Sequence, residues 1–212
     1  MKRKTVGWIL LGVLALPATY VAYVAVAYGH RLVSPEVRRK GRITKSIDGL
    51  RTMLLYDAVG GVGVERPLPR YGGKRWFLRL VATNTLSRSD PNQLEILFSP
   101  GDPVHSLEKA GGPKAYERVT LAALDDPAFD PSALTSYVGP RLDGKGLVPP
   151  SAASPDGDPI VADLSFSGGV ILGFPGGKVR WFDAAELGLS PDQPIVVGEA
   201  SPVEMLKHLS DR

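Results

Sequence analysis

The hydrophobic and polar positions of this chain fall into three regimes. Between Lys4 and His30 lie 25 residues without a charge, and Gly7–Tyr28 is almost wholly apolar. As a helix rising 1.5 Å per residue, that run is about 33 Å long, enough to cross a bilayer. Trp8, Tyr20, Tyr23 and Tyr28 stand partly toward its ends, as interfacial aromatics do, and Pro17 is compatible with a membrane helix. The second regime is amphipathic. Ser34-Pro35-Glu36 combines a capping hydroxyl, a Pro at the first helical position and an acid in the first turn. Val37, Ile43, Ile47, Leu50, Met53, Leu54 and Asp57 then follow a roughly helical period. The pattern predicts a helix to about Asp57, weakened by Gly41 and Gly49 and ended by the Gly60-Gly61-Val62-Gly63 loop.

The third regime is a series of short elements. Lys74–Thr83 fits a strand or a helix, and the helical spacing of Phe77, Leu80, Val81 and Asn84 favours the helix. Leu94–Phe98 reads as a short apolar strand stopped by the turn Ser99-Pro-Gly-Asp-Pro103. Pro113–Leu124 predicts a short helix, Asp125–Pro131 a loop, and Leu134–Val138 a strand. Gly139–Pro159 is a Pro-, Gly- and Asp-rich connection, expected to be exposed. Pro159–Leu164 is a predicted strand. A hairpin follows, Gly169–Phe174 and Lys178–Phe182, joined by Pro175-Gly176-Gly177. Its second strand alternates Lys178, Arg180 and Phe182 with Val179 and Trp181, which predicts one face to water and one to a core. Ile171, Val179 and Trp181 are expected to pack on the helix. Asp183–Leu187 suggests a single turn, and Ser201-Pro-Val-Glu204 reads as a capping box opening a C-terminal helix through about Leu209. There is no internal repeat.

Charge sharpens this division. The chain is formally +3, but nine of its 25 Lys and Arg lie at or before Lys45, with Glu36 as the only acid there. From Ser46 onward there are 16 basic and 21 acidic residues, a net of −5. The basic character flanks the apolar run and is no patch on the domain, which argues against nucleic-acid binding. The 24 Gly and 19 Pro agree with many turns. With no Cys there are no disulfides, thiolate metal sites or cysteine nucleophiles. The expected organisation is a tail of residues 1–6, a transmembrane anchor over 7–28 and one exported domain over 34–212. A cleaved signal peptide is the competing reading of the N-terminus, since Met-Lys-Arg-Lys and Ala25-Val-Ala27 fit one. The apolar run is longer than a usual signal core, which favours the anchor. The orientation chosen is N-terminus in, domain out.

No constellation in the sequence points to catalysis. His30, His105 and His208 lie far apart without metal-ligand spacing, and each reads as a lone surface His. There is no Gly-x-Ser-x-Gly elbow, and Ser167-Gly-Gly resembles one only superficially. Gly60-Gly61-Val62-Gly63 lacks the strand and third Gly of a dinucleotide fingerprint. Asp156 and Asp158 are the one plausible cation pair, and two carboxylates are too few for calcium. Asp125-Asp126 and Asp163 are equally weak. The expectation is therefore no enzyme, no catalytic residue, no cofactor and no metal.

The stretch Phe166–Phe182 resembles the C-terminal signature of a bacterial family, the type II secretion pseudopilin-like or prepilin-type proteins. That signature reads roughly His-x-Gly-Gly-x-Asn-Val-Leu-Phe-x-Asp-Gly-x-Val-x-Phe. Gly168-Gly169, Ile171-Leu172, Phe174, Gly177, Val179 and Trp181-Phe182 align with it. Pro159-Ile-Val-Ala-Asp163 is similar to the strand placed just upstream, Phe98-Ser-Pro-Gly-Asp-Pro103 to a Cys-Pro-Ser-Asp-Pro turn, and Thr135-Ser-Tyr137 to a Ser-Tyr strand. Phe166 stands where the signature has His, and Gly176 where it has Asp. Gly12 stands where the mature family members carry a fifth-position Glu. The resemblance implies an α+β, pilin-like fold, a transmembrane plus amphipathic helix packed on a small antiparallel sheet of about four strands. It also implies a non-catalytic envelope protein of the bacterial cytoplasmic membrane, structural or scaffolding in role and linked to type II secretion. Its expected partners are the bilayer, through residues 7–28, and other envelope or secretion proteins. An anchored domain that binds a ligand or protein through Gly139–Pro159 is the alternative.

Overall fold

The computed structural model describes residues 34–60, 71–143, 146–147, 157–190 and 192–211. The predicted anchor over 7–28, His30, Gly61–Gly63 and Asp156 lie outside the described residues. No helix among the described residues is long and apolar enough to cross a membrane. The chain divides into two units, Met1–Gly41 and Arg42–Arg212.

Helix α1 spans Pro35–Gly60. In the first unit its start is the predicted one. The Ser34 hydroxyl accepts the Val37 N–H at 3.3 Å, and Lys40 pairs with Glu36 at 2.9 Å. In the second unit α1 buries Ser46, Leu50, Met53 and Leu54, with Ile43 and Ile47 half-buried, the stripe that a helical period lays along one face. Helix α2, Gly73–Ala82, turns Trp76, Phe77, Leu80 and Val81 into the same core. Arg88 closes its C-terminus by donating to the Val81 and Ala82 carbonyls. Asp57 of α1 pairs with Arg79 of α2.

The remaining helices are short. Helix α3 is Pro91–Glu95 and α4 is Leu121–Asp125, with a 3-10 turn, Pro113–Tyr116, before α4. Leu94–Phe98, predicted as a strand, is instead the end of α3 and the turn after it. Asp90 caps the helix by accepting the Asn92 N–H, Pro91 occupies the first turn, and Leu94, Leu97 and Phe98 are buried at helical spacing. Pro113–Leu124 is two pieces, because Thr120 caps a new helix by accepting the Ala123 N–H.

Strands β1 (Gly139–Pro140) and β7 (Leu209–Ser210) pair with each other, as do β2 (Leu142–Asp143) and β3 (Gly146–Leu147). The main sheet is antiparallel, in the order β4 (Val161–Asp163), β5 (Gly169–Gly173), β6 (Val179–Asp183). The mixture of helices and small antiparallel sheets is the α+β class the sequence predicts. The strand expected over Leu134–Val138 contributes only Val138, bridged to Ala162. The Ser136 N–H and the Thr135 hydroxyl are instead given to the Leu97 carbonyl. Among the described residues the main sheet therefore has three strands where about four were expected.

The hairpin forms where predicted. Pro175 and Gly176 hold the corners of a turn closed by the Gly177 N–H on the Phe174 carbonyl at 3.2 Å, and Gly176 takes φ +85°. The expected alternation holds from Lys178 to Trp181, with Lys178 and Arg180 exposed and Val179 buried, and fails at Phe182, which is buried. Val161, Ile171 and Val179, with half-buried Trp181, meet the core that holds Leu50 and Leu54. Ala162, Val170, Leu172, Phe174 and Phe182 face a second core with Leu206 and Leu209. That is why all of β5 is buried and reads as an unbroken apolar run. After β6, Asp183 and Glu186 form a capping box for the 3-10 turn Ala184–Leu187. The C-terminal helix is reduced to a 3-10 turn, Glu204–His208. The predicted capping box is absent there, because the Ser201 hydroxyl accepts the Val203 N–H and Glu204 pairs with Lys207.

Candidate functional site

Among the described residues, three polar clusters are candidate sites, and all lie in the second unit. The most buried joins α1 to the sheet. The Ser46 hydroxyl donates to Asp163 Oδ2 at 2.5 Å, and Asp163 Oδ1 accepts the Ser165 N–H at 2.9 Å. Ser46 and Asp163 are 0% exposed and Tyr137, beside them, 1%. Burial, together with the Asp163 charge, pushes the Tyr137 phenol far above its ordinary range, a shift that the Ser46 hydroxyl only moderates. Helical spacing aims Ser46 inward, and the β4 pleat aims Asp163 to meet it. A serine hydrogen-bonded to a carboxylate is half of a nucleophile–base arrangement. At zero exposure it is out of a substrate's reach, and what it does is hold helix against strand.

The second cluster is an Asp–His pair in the turn after α3. Asp102 Oδ1 accepts the Val104 and His105 N–H groups, and Oδ2 lies 2.6 Å from His105 Nδ1. Burial works to raise the Asp102 pKa, but the hydrogen bonds from Val104 and His105 outweigh it and hold the carboxyl below its ordinary range. Lys74, which donates to the Ser132 carbonyl at 2.8 Å, has its pKa lowered by burial, against the pull of Asp211, Asp102 and Asp130. A carboxylate that orients an imidazole is how acid–base pairs are built. The reacting partner of such a pair, whether a nucleophile, a metal, water or substrate, meets the outer ring nitrogen. Among the described residues, the hydrogen bonds of His105 end at Asp102.

The third cluster is His208 and Asp158, 3.5 Å apart, with side chains 12% and 5% exposed. Both ring nitrogens of His208 are buried without a hydrogen bond among the described residues. The remaining sequence candidates are scattered. Asp125 accepts the Tyr71 hydroxyl at 3.0 Å, and Asp126 accepts the Ala128 N–H at 2.8 Å, closing a turn. Among the described residues no group of three or more His, Cys, Asp or Glu is placed to hold a metal ion.

The structure thus corrects the reading of His105 and His208 as lone surface residues. The signal for His105 is visible in the sequence, since Asp102-Pro-Val-His105 puts a turn-forming carboxylate three residues before a His. The Ser46–Asp163 pair spans 117 positions, and no local pattern announces it. Comparison with protein-family models, with characterised proteins and with solved structures gave no match.

Proposed function

We propose that this chain is a membrane-anchored, non-catalytic, pilin-like envelope protein. In this reading residues 7–28 hold it in the cytoplasmic membrane, and the domain over 34–212 lies outside the cytoplasm in a structural or scaffolding role connected with type II secretion. The observation that carries the reading is the packing of the β5–β6 hairpin. The segment that resembles the pseudopilin signature forms the middle and one edge of the antiparallel sheet, and the sheet packs in one core with Leu50 and Leu54 of α1. Amphipathic helix first, sheet with a late hairpin afterwards, is the order that the resemblance implies. Two of the polar clusters support the non-catalytic half of the reading, because Ser46–Asp163 ties α1 to β4 and Asp102 closes its own turn. Phe166 adds to it. Where the signature has a His, this residue stacks edge-on against Trp181 at 6.1 Å between ring centroids.

Mass spectrometry of the mature N-terminus in membrane fractions tests the anchor. An intact Met1 is expected. Cleavage after Ala27 would release a secreted protein and overturn the reading, whereas cleavage after Gly7 would place the chain among processed prepilins. Copurification after mild cross-linking is expected to bring down secretion components. A hydrolytic activity abolished by Asp158→Ala or Asp163→Ala would overturn the non-catalytic part.

A further inference from the structure

We propose that residues 195–197 are a docking edge for an extended segment of another protein, one with apolar residues at its centre and Lys or Arg at its ends. The run stands in the second unit between Pro194 and Gly198, and Ile195, Val196 and Val197 are all β-branched. It belongs to no helix, strand or turn. Ile195 and Val197 pack against the second core, whereas Val196 between them is 40% exposed. That alternation is the period of an extended chain. A strand normally gives its N–H and C=O groups to a neighbour. Among the described residues, none of these three makes a backbone hydrogen bond. The run has the composition and the packing of a strand without the partner.

One neighbouring hydrogen bond tells which edge is open. The Gly198 N–H donates to the Leu206 carbonyl at 3.0 Å. The peptide is trans, so the Val197 C=O points the opposite way, away from the turn Glu204–His208. In an extended chain both groups of a residue share an edge, and alternate residues share it too. Ile195 and Val197 thus present two donors and two acceptors on the open edge, and Val196 faces the other way. An antiparallel guest can take up all four. Side chains directly across such a pair share a face, so the guest's residues opposite Ile195 and Val197 turn toward the second core and need to be apolar.

Charge selects the guest. Residues 181–206 hold five acids, Asp183, Glu186, Asp192, Glu199 and Glu204, and no Lys or Arg. Asp183 and Glu186 serve their capping box, Glu199 meets Arg141, and Glu204 meets Lys207. Asp192, before the run, is exposed, and Glu199, after it, is 81% exposed and open to a second cation. A second copy paired antiparallel about Val196 would set its Glu199 opposite Gln193 and beside Asp192, acid against acid. A basic guest gains where that copy would lose.

The probe is the peptide acetyl-Lys-Val-Thr-Val-Lys-amide, added to the full chain in detergent, with amide exchange read residue by residue by NMR. At ten times its dissociation constant it should slow exchange about tenfold at Ile195 and Val197 and leave Val196 unchanged. Asp192→Asn should weaken binding about threefold, and high salt should weaken it too. The same peptide with Glu for Lys keeps the backbone donors, and the Lys peptide N-methylated at both valines keeps the charge. Neither should protect. No protection by the parent peptide, equal protection by either control, or protection at Val196 would overturn the proposal. So would protection of Ile195 and Val197 without peptide. If it grows with protein concentration the guest is a second copy, and if it does not, the chain covers its own edge.

Discussion

At the scale of single residues, space and charge satisfaction decide what each position tolerates. Gly49 and Gly139 make the contrast. In α1, a Cβ on Gly49 would lie 3.5 Å from the Tyr137 hydroxyl and 3.7 Å from the Ile96 carbonyl, ordinary contact distances. Gly49→Ala is therefore expected to raise stability by about 0.5–1 kcal/mol, the usual cost of a helical glycine. A Cβ on Gly139 would land on the Gly73 carbonyl oxygen, backbone that cannot yield locally. Gly139→Ala is expected to lower the melting temperature by many degrees or to prevent folding, and thermal unfolding of the two variants reads both signs. Ser46 is decided by charge. Ser46→Ala leaves Asp163 buried with one oxygen stripped of its donor, at a cost of about 2 kcal/mol. The urea midpoint should fall with an unchanged slope. Adding Asp163→Asn should recover part of the loss, since a neutral amide is cheaper to bury than a half-satisfied carboxylate.

At the scale of elements, what was legible in the sequence is what local chemistry determines. The Ser34-Pro35 start, the α2 stripe and the Pro175-Gly176-Gly177 turn each depend on a few adjacent residues, and each formed as predicted. Leu94–Phe98 reads as a strand because five residues, four of them apolar, are too few to separate a period of 2 from one of 3.6. The deciding signal, Asp90-Pro91, lies outside the run. Leu134–Val138 has strand composition, but its donors go to a carbonyl nearly 40 positions away, a partner that no local reading supplies. Long side chains that cap distant backbone are equally invisible. Arg75 of α2 donates to the Leu124, Pro127 and Phe129 carbonyls and so closes the end of α4 and the loop after it. Arg75→Gln is expected to speed hydrogen exchange at the Asp126 and Phe129 amides by about tenfold while global stability changes little. Arg75→Lys should not restore protection, because one ammonium cannot replace a planar fork reaching three carbonyls.

At the scale of the second unit, the class of fold was legible and so was the Asp102–His105 turn, whereas the buried Ser46–Asp163 pair was not. Burial of Ser46, Asp163 and Tyr137 follows from how helix, loop and strand close on one another, and composition does not encode that closure. The same closure gives the unit an alkaline limit. Burial raises the phenols of Tyr116 and Tyr137 far above their ordinary value near 10. Above about pH 10 the unfolded chain releases these protons and the folded one keeps them, so the unfolded state binds fewer and stability falls as pH rises. The stabilisation is fully present below that pH. In an alkaline titration followed by phenolate absorbance and circular dichroism together, these two tyrosines should ionise only as the fold is lost. Ionisation of all seven before any loss of structure would contradict the buried geometry.

Strand β6 pairs with β5 on one side, and among the described residues no strand lies on its other side. An edge strand invites another chain to add a strand, which is how sheets begin to aggregate. Here the edge is short and guarded. Arg180 and Asp183 are exposed along it, the Arg180 guanidinium lies over the Phe182 ring at 3.8 Å, and Asp183 accepts the Trp181 indole N–H at 2.8 Å. Val179 and Phe182 complete the two cores, while Arg180 and Asp183 discourage a foreign strand from docking beside them. Five consecutive residues thus carry both the packing of the sheet and its protection against sticking to copies of itself.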